Sequence, residues 1–449
     1  MSGNLEELVA GAVKRALSLG ATDAECTASE GAEFSVSVRK GEVDKLTEAG
    51  SKAVGLRVLV GQKQGSAYTS DLTREGVEQM VRAALELAQI TSEDPFAGLP
   101  EPSELGKLDG DLALFYEETA LVPAETKIAY ARQAEAAALA ADERIANSEG
   151  AGFGSYAGQR VFGNSRGFLG SYRTSSCSLS TTPVAKLGDA MERDYWYTIA
   201  RQFSKLESPE SVGRKAAARA VRRLGARKLD TQKAPVVFDR TVAKSLLDHI
   251  FDAASGETIY RKSSIFVDKL GESVASKKLT LVDDATLVGL FGTSPYDDEG
   301  VPSRRTPILE NGVLKNYLLN TYTAKKLGMK TTGNASRGLS GASSISHGNL
   351  FLEPGDLTQE EIFKAVGTGL FVTELIGFGV NIVTGDYSRG AVGLWIEGGE
   401  LAYPVSEITI AGNLKQMLND VAYVGSDLEF RGSVNSPTLV IGEMTISGQ

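Results

Sequence analysis

Helix, several strands, helix: this order occurs twice in the first half of the chain, and it limits the possible folds more than any other feature. In the first copy Leu5, Leu8, Val9, Ala12, Val13, Ala16 and Leu17 recur at helical spacing, and Gly20 is a natural stop. Phe34, Val36 and Val38 then alternate, as do Val54, Leu56, Val58 and Val60. Gly41, Gly50, Gly61 and Gly65 punctuate these runs as an antiparallel meander. A helix from about Thr73 carries Val77, Met80, Val81, Ala84, Leu85 and Ala88 on one side.

Residues 91–122 hold Pro95, Pro100 and Pro102 and suit a surface connection. The order then repeats about 120 to 135 residues on. An alanine-rich helix spans Pro123 to Ala141, strand-like runs extend from Ile145 to Phe203, and a helix follows from Ser208 to Leu224. The last has a serine N-cap, Pro209 at its first position and Gly225 just past its end. Near Thr231 the texture changes to one strong helix, Thr241 to Ala254, and many short strands between glycine turns. Short helices are expected at 323–327, 358–367 and 413–419. The fold class is α+β with two domains: an α/β domain over 1–230 with the internal repeat, and a β-rich domain over 231–449.

A net charge of −10 argues against an extended phosphate-binding face, so direct nucleic-acid binding is not expected. The basic run Arg214, Lys215, Arg219, Arg222 and Arg223 then reads as the wet face of an amphipathic helix whose apolar stripe is Val212, Ala216, Ala220, Val221 and Leu224. No run of 18 apolar residues suggests a membrane span. Met1 to Glu7 lacks the basic start and apolar core of a leader, so the cytoplasm is the expected compartment. Cys26 and Cys177 fall in strand-like contexts and read as buried thiols. Two cysteines and two histidines, His249 and His347, give no recognised zinc spacing.

Four motifs carry possible chemistry. Gly163-Asn164-Ser165-Arg166-Gly167 matches a nucleophile elbow, but its flanks read as strand, turn, strand, with no helix after the serine. Asp283-Asp284 and Asp297-Asp298-Glu299 are acidic pairs in turn-like settings without calcium-loop spacing. Asn334-Ala335-Ser336-Arg337-Gly338 is a small-residue loop whose amide and guanidinium suit the backbone of an extended peptide. Finally Val380, Ile382 and Thr384 read as a strand, Ala391 to Ile396 as another, and Gly398-Gly399 as a hairpin turn. Tyr387, Ser388 and Arg389 then sit on a glycine-flanked connection, where a phenol, a hydroxyl and a guanidinium form a recognition surface.

The stretch 380–400, with Pro404 to Leu414, resembles the PmbA/TldE branch of the TldD/PmbA family. The resemblance covers most of the chain and is clearest from Ser263 on, including Arg261 to Phe266, Asp297 to Pro302, Leu309 to Leu314 and Thr331 to Arg337. In the zinc-bearing TldD branch a helix carries HExxxH; the matching positions here are Asp248, His249 and Ala253, and no cysteine follows Cys177. The resemblance therefore implies a chain without catalytic residues or metal of its own. Its partner would be a TldD-like paralogue that holds the zinc, in a heterodimer acting on unfolded peptides. A homodimer is the other assembly to weigh. A link to modulation of DNA gyrase or to maturation of peptide antibiotics is also implied. The competing readings are an independent hydrolase using Ser165 or a carboxylate-held metal, and a homodimeric peptide-binding protein without protease activity.

Overall fold

The computed structural model describes residues 5–448; Met1 to Asn4 of the leader reading lie outside the described residues. The chain opens with α1 (Leu5–Ser18), β1 (Asp23–Arg39), β2 (Glu42–Val60), β3 (Lys63–Thr69) and α2 (Arg74–Ile90). After a short α3 (Glu117–Leu121) come α4 (Ala124–Leu139), β4 (Ile145–Asn164), β5 (Leu169–Leu187), β6 (Ala190–Arg193), β7 (Trp196–Ala200) and α5 (Pro209–Val221). Local chemistry sets the ends. The Thr73 side chain accepts from Gly76 N, the Ser208 side chain accepts from Ser211 N, and Gly20 and Gly225 take positive φ at helix ends.

The two copies share one antiparallel sheet, in the order β3-β2-β1-β4-β5-β6 with β7 on β5. They meet where β1 pairs β4 along Glu25 to Val38. One strand thus serves two cores. Ala24, Cys26 and Ala28 near the start of β1 join α1 and α2, whereas Phe34, Val36 and Val38 near its end join α4 and α5. Both cysteines are fully buried, and burial pushes each thiol up to about 12.

The rest of the chain runs β8 (Gln232–Phe238), α6 (Arg240–Ala254), α7 (Gly256–Tyr260), β9 (Leu281–Asp284), β10 (Arg305–Glu310), β11 (Val313–Leu314) and α8 (Thr321–Leu327). It continues through β12 (Ala335–Ser336), β13 (Ser344–Ile345), β14 (Leu350–Leu352), α9 (Gln359–Val366), β15 (Gly369–Ile376), β16 (Asp386–Glu397) and β17 (Glu400–Asn413). α10 (Leu414–Asn419), β18 (Val421–Val424), β19 (Val434–Asn435) and β20 (Leu439–Ser447) complete it. One sheet has the order β17-β16-β15-β8-β20-β18, with β17 also pairing β20; a second has the order β11-β10-β9-β14-β19.

α6 lies in the core that both of these sheets share. Val242, Ala243, Leu246, Leu247, Ile250, Ala253 and Ala254 form its buried stripe, meeting Val236 and Leu370 of one sheet and Leu281 and Leu350 of the other. Burying each large aliphatic side chain contributes roughly 1.5–3 kcal/mol. Asp239 caps the helix, its Oδ1 accepting from Thr241 N at 2.9 Å. A helix this deeply packed holds whatever it carries in a fixed position.

Three sequence expectations fail here. Residues 380–384 are not a strand: Asn381 Oδ1 accepts from Val383 N at 2.9 Å and Thr384 N at 3.3 Å, a local turn that competes with extension. β16 starts earlier than expected, at Asp386, so Tyr387, Ser388 and Arg389 are strand residues opposite Gly412, Ala411 and Ile410. The basic run of α5 is not all wet either. Arg219 and Arg223 are largely buried, with side-chain exposures of 13% and 12%, against Glu192 of β6, Asp194 just after it and Glu374 of β15.

Candidate functional site

The three positions of the lost zinc motif lie along α6. Asp248 and His249 are half-buried, and Ala253 is fully buried. Burial raises the Asp248 carboxyl, with His347 and Lys244 pulling the other way. Burial lowers the His249 imidazole, and the Arg389 charge lowers it further, so the ring is held neutral. Its Nε2 has no protein partner. The ring meets Tyr387 edge to face, at 6.2 Å between centroids and 76°.

β16 brings two more orphan groups to this place. Tyr387 is 1% exposed, its hydroxyl has no partner, and burial pushes the phenol up. Arg389 is half-buried; its Nε is buried without an acceptor, and no carboxylate lies within ion-pair distance among the described residues. A buried donor left unmade costs about 1–3 kcal/mol. Three such groups meet at this place. Ser388 points outward, and its N–H donates to Gly379 O at 2.7 Å. A Cβ on Gly379 would lie 2.1 Å from Ser388 O, so the loop closes on the strand only with glycine there.

Asn334 and Arg337 are not on an open loop, which corrects the sequence expectation. Asn334 Nδ2 donates to Asp283 Oδ2 at 2.6 Å and to Ser346 O at 2.9 Å. Arg337 is 6% exposed and pairs with the fully buried Glu25 of β1, which also holds Arg57 at 2.6 Å. The structure brings Tyr387 and Arg389 to His249, and Asn334 and Arg337 into a separate buried network.

The acidic pairs belong to that second network. Asp297 accepts from Glu299 N, Val301 N and Ala335 N at 2.9, 2.9 and 3.0 Å. Asp283 accepts from Gly348 N at 2.7 Å as well as from Asn334, and burial pushes its carboxyl up to about 6. These carboxylates tie loops together. Ser165 is equally committed: its Oγ donates to Asp23 Oδ1 and accepts from Ala24 N, both at 3.0 Å, in the turn between β4 and β5.

A zinc ion does not fit α6. A catalytic zinc takes three protein ligands and one open position. Here the positions offer a carboxylate, an imidazole beside a guanidinium, and a methyl group. Among the described residues no group of three His, Cys, Asp or Glu side chains is placed to hold a metal. What the arrangement offers is unpartnered polar groups on rigid elements beside a cavity.

Sequence reasoning missed that cavity, of about 510 Å³, between the β4–α5 segment and the α6, β15 and β16 elements. Asp248 and Arg389 line it, with Asp194, Arg219, Arg223 and Glu374. The signal that pointed there was the basic run on α5, read as a solvated face. No helix among the described residues is long and apolar enough to cross a membrane.

Comparison with known proteins gives one consistent picture. Residues 24–88, 117–224 and 231–448 match domain 1, the central domain and the C-terminal domain of the PmbA/TldA metallopeptidases. A relative from Escherichia coli O157:H7 called metalloprotease PmbA is 43% identical over 99% of this chain and 96% of its own. A crystal structure from Bacteroides thetaiotaomicron, described as a candidate modulator of DNA gyrase, superposes with a TM-score of 0.92 at 30% identity over 99% of both chains. TldE from Thermococcus kodakarensis shares the fold, with a TM-score of 0.88 at 21% identity over 98% of this chain and 100% of that one.

Proposed function

This chain belongs to the PmbA/TldD metallopeptidase family, and on that premise we propose that it is a metal-free subunit of a peptide-cleaving complex. Its partner is a TldD-like paralogue that carries HExxxH and the zinc, and their substrate is an unfolded peptide. This chain contributes binding surface. The observation that carries the reading is the donor set on α6, where Ala253 offers no ligand and Arg389 sets a positive charge against His249. Around it β16 and α6 keep a rigid frame with polar groups still to be satisfied. Arg389 and the exposed Ser388 on β16 are the residues for side-chain contact with an extended chain, because the backbone of β16 is paired on both edges. The unpaired thiols Cys26 and Cys177 fit a reducing cytoplasm.

The test mixes this protein with its zinc-motif paralogue and follows cleavage of an unstructured peptide. Cleavage should need both chains, survive Ser165→Ala here, and vanish when the paralogue's motif glutamate is replaced. A paralogue fully active alone would sink the reading. Cleavage by this chain alone, lost in Ser165→Ala, would favour an independent hydrolase instead.

A further inference from the structure

The cavity beside α6 is charged, and most of its charges are already spent. Arg219 Nε meets Asp194 Oδ1 at 3.2 Å, Arg223 Nη1 meets Glu374 Oε2 at 2.5 Å, and Arg193 Nη1 meets Glu149 Oε2 at 2.7 Å. Lys244 and Arg389 are left, and neither has a carboxylate within ion-pair distance among the described residues, although both line the cavity. Asp248 is the remaining acid on the wall. Burial raises its carboxyl, with His347 and Lys244 pulling the other way. A half-buried guanidinium with no anion of its own is a site for one, because charge-assisted and bidentate bonds are the strongest such a group makes. The paired acids Asp194 and Glu374 favour a monoanion over a dianion, and the monoanion that a peptide carries is a carboxylate.

We propose that this cavity recognises a carboxylate on the bound peptide, with Arg389 as the primary contact and Lys244 as the second. The carboxylate is either the peptide's C-terminus or an acidic side chain. The volume suits the end or one side chain of a peptide. The inference rests on the peptide-binding reading given above, and it adds a specificity that reading lacks. Both edges of β16 are already paired here, with β17 on one side and with Gly379 and Val380 on the other, so the carboxylate reaches Arg389 as an inserted chain end or side chain and not as an added strand.

Three fluorescent versions of one unstructured peptide separate the outcomes: free C-terminus, C-terminal amide, and free C-terminus with every Asp and Glu changed to Asn and Gln. Binding is measured by anisotropy against the full-length protein together with its paralogue, made catalytically silent at the motif glutamate. The version lacking the recognised carboxylate should bind roughly ten- to hundredfold more weakly. Loss on amidation identifies the C-terminus, and loss in the Asn/Gln version identifies a side chain. Arg389→Gln should bring the tight peptides down to the weak one while leaving the weak one unchanged, and Arg389→Lys should keep part of the difference. Equal binding of all three versions, or equal weakening of all three by Arg389→Gln, overturns the carboxylate site while the peptide-binding reading stands. If the wild-type pair binds none of them, both fail.

Discussion

Arg337 and Arg389 look alike in the sequence, each following a serine and preceding a glycine. In the fold they are opposites. Arg337 is buried against Glu25, a residue 312 positions away, and its own N–H donates to Asp298 Oδ2 at 2.8 Å. Both have a buried Nε without an acceptor, but Arg389 has no carboxylate within ion-pair distance among the described residues. The first arginine joins β1 to the connection after β12 and is bound up in structure. The second stands on a rigid strand with its hydrogen-bonding capacity open. Residue type and local context do not distinguish an ion-paired arginine from an unpaired one; the location of the nearest carboxylate does.

The largest effect that tests this contrast should come from the Glu25 side. Glu25→Ala leaves Arg57 and Arg337 buried together without their shared anion. Removing one partner of a buried ion pair costs about 3–5 kcal/mol. Urea unfolding should therefore show a midpoint far below that of the wild type. A loss under about 1 kcal/mol would mean that Arg337 is not the structural member of the pair.

A smaller effect is expected from the neighbouring acid network, and it depends on pH. Asp283 is raised from 3.8 to about 6, first by burial, against the hydrogen bond from Asn334. Its folded pKa lies above its unfolded one, so its contribution to stability is full below about pH 4 and is lost as pH rises through about 6. Asp283→Asn is neutral at every pH. The stability of the wild type relative to this variant should therefore fall between pH 4 and 7, and parallel stability curves would refute the assignment. Smaller again is Ser165→Ala, which removes one hydroxyl bridging Asp23 and the Ala24 amide. Thermal unfolding should register about 0.5–1.5 kcal/mol, with no change in complex activity.

Most of the architecture was legible because its signals are local. Helical spacing, the caps Thr73 and Ser208, and the glycines at 20, 225 and 398–399 act within a few residues of themselves. The same locality defeated the strand expected at 380–384, where the Asn381 side chain turns the backbone and hydrophobic alternation carries no trace of it. The site was only half legible. The motif positions Asp248, His249 and Ala253 follow from resemblance, but their surroundings depend on long-range pairing. Arg223 finds Glu374 across 151 residues, and nothing near either one announces the other. That is why the basic run on α5 read as a wet surface when it forms one wall of a cavity.

The smallest expected effect is also the sharpest test of the contrast. Arg389→Ala removes a guanidinium that donates to no carboxylate or backbone carbonyl among the described residues, so no ion pair is broken there and no partner is orphaned. The strand itself should hold, since Tyr387, Ser388 and Arg389 keep their register opposite β17 through backbone pairing. The arginine's apolar stem covers some surface, a modest loss. Removing its buried, unpaired Nε is a gain of comparable size. The two nearly cancel, and stability should change by no more than about 0.5 kcal/mol in either direction. The same substitution should also relieve His249, whose imidazole is depressed first by burial and then by the Arg389 charge. NMR titration of the His249 ring should therefore show its pKa moving up toward 6.5, the unperturbed value, without reaching it, because burial remains. A ring that titrates identically in both proteins would place Arg389 away from His249. A loss of more than about 2 kcal/mol on unfolding would put Arg389 in the same class as Arg337.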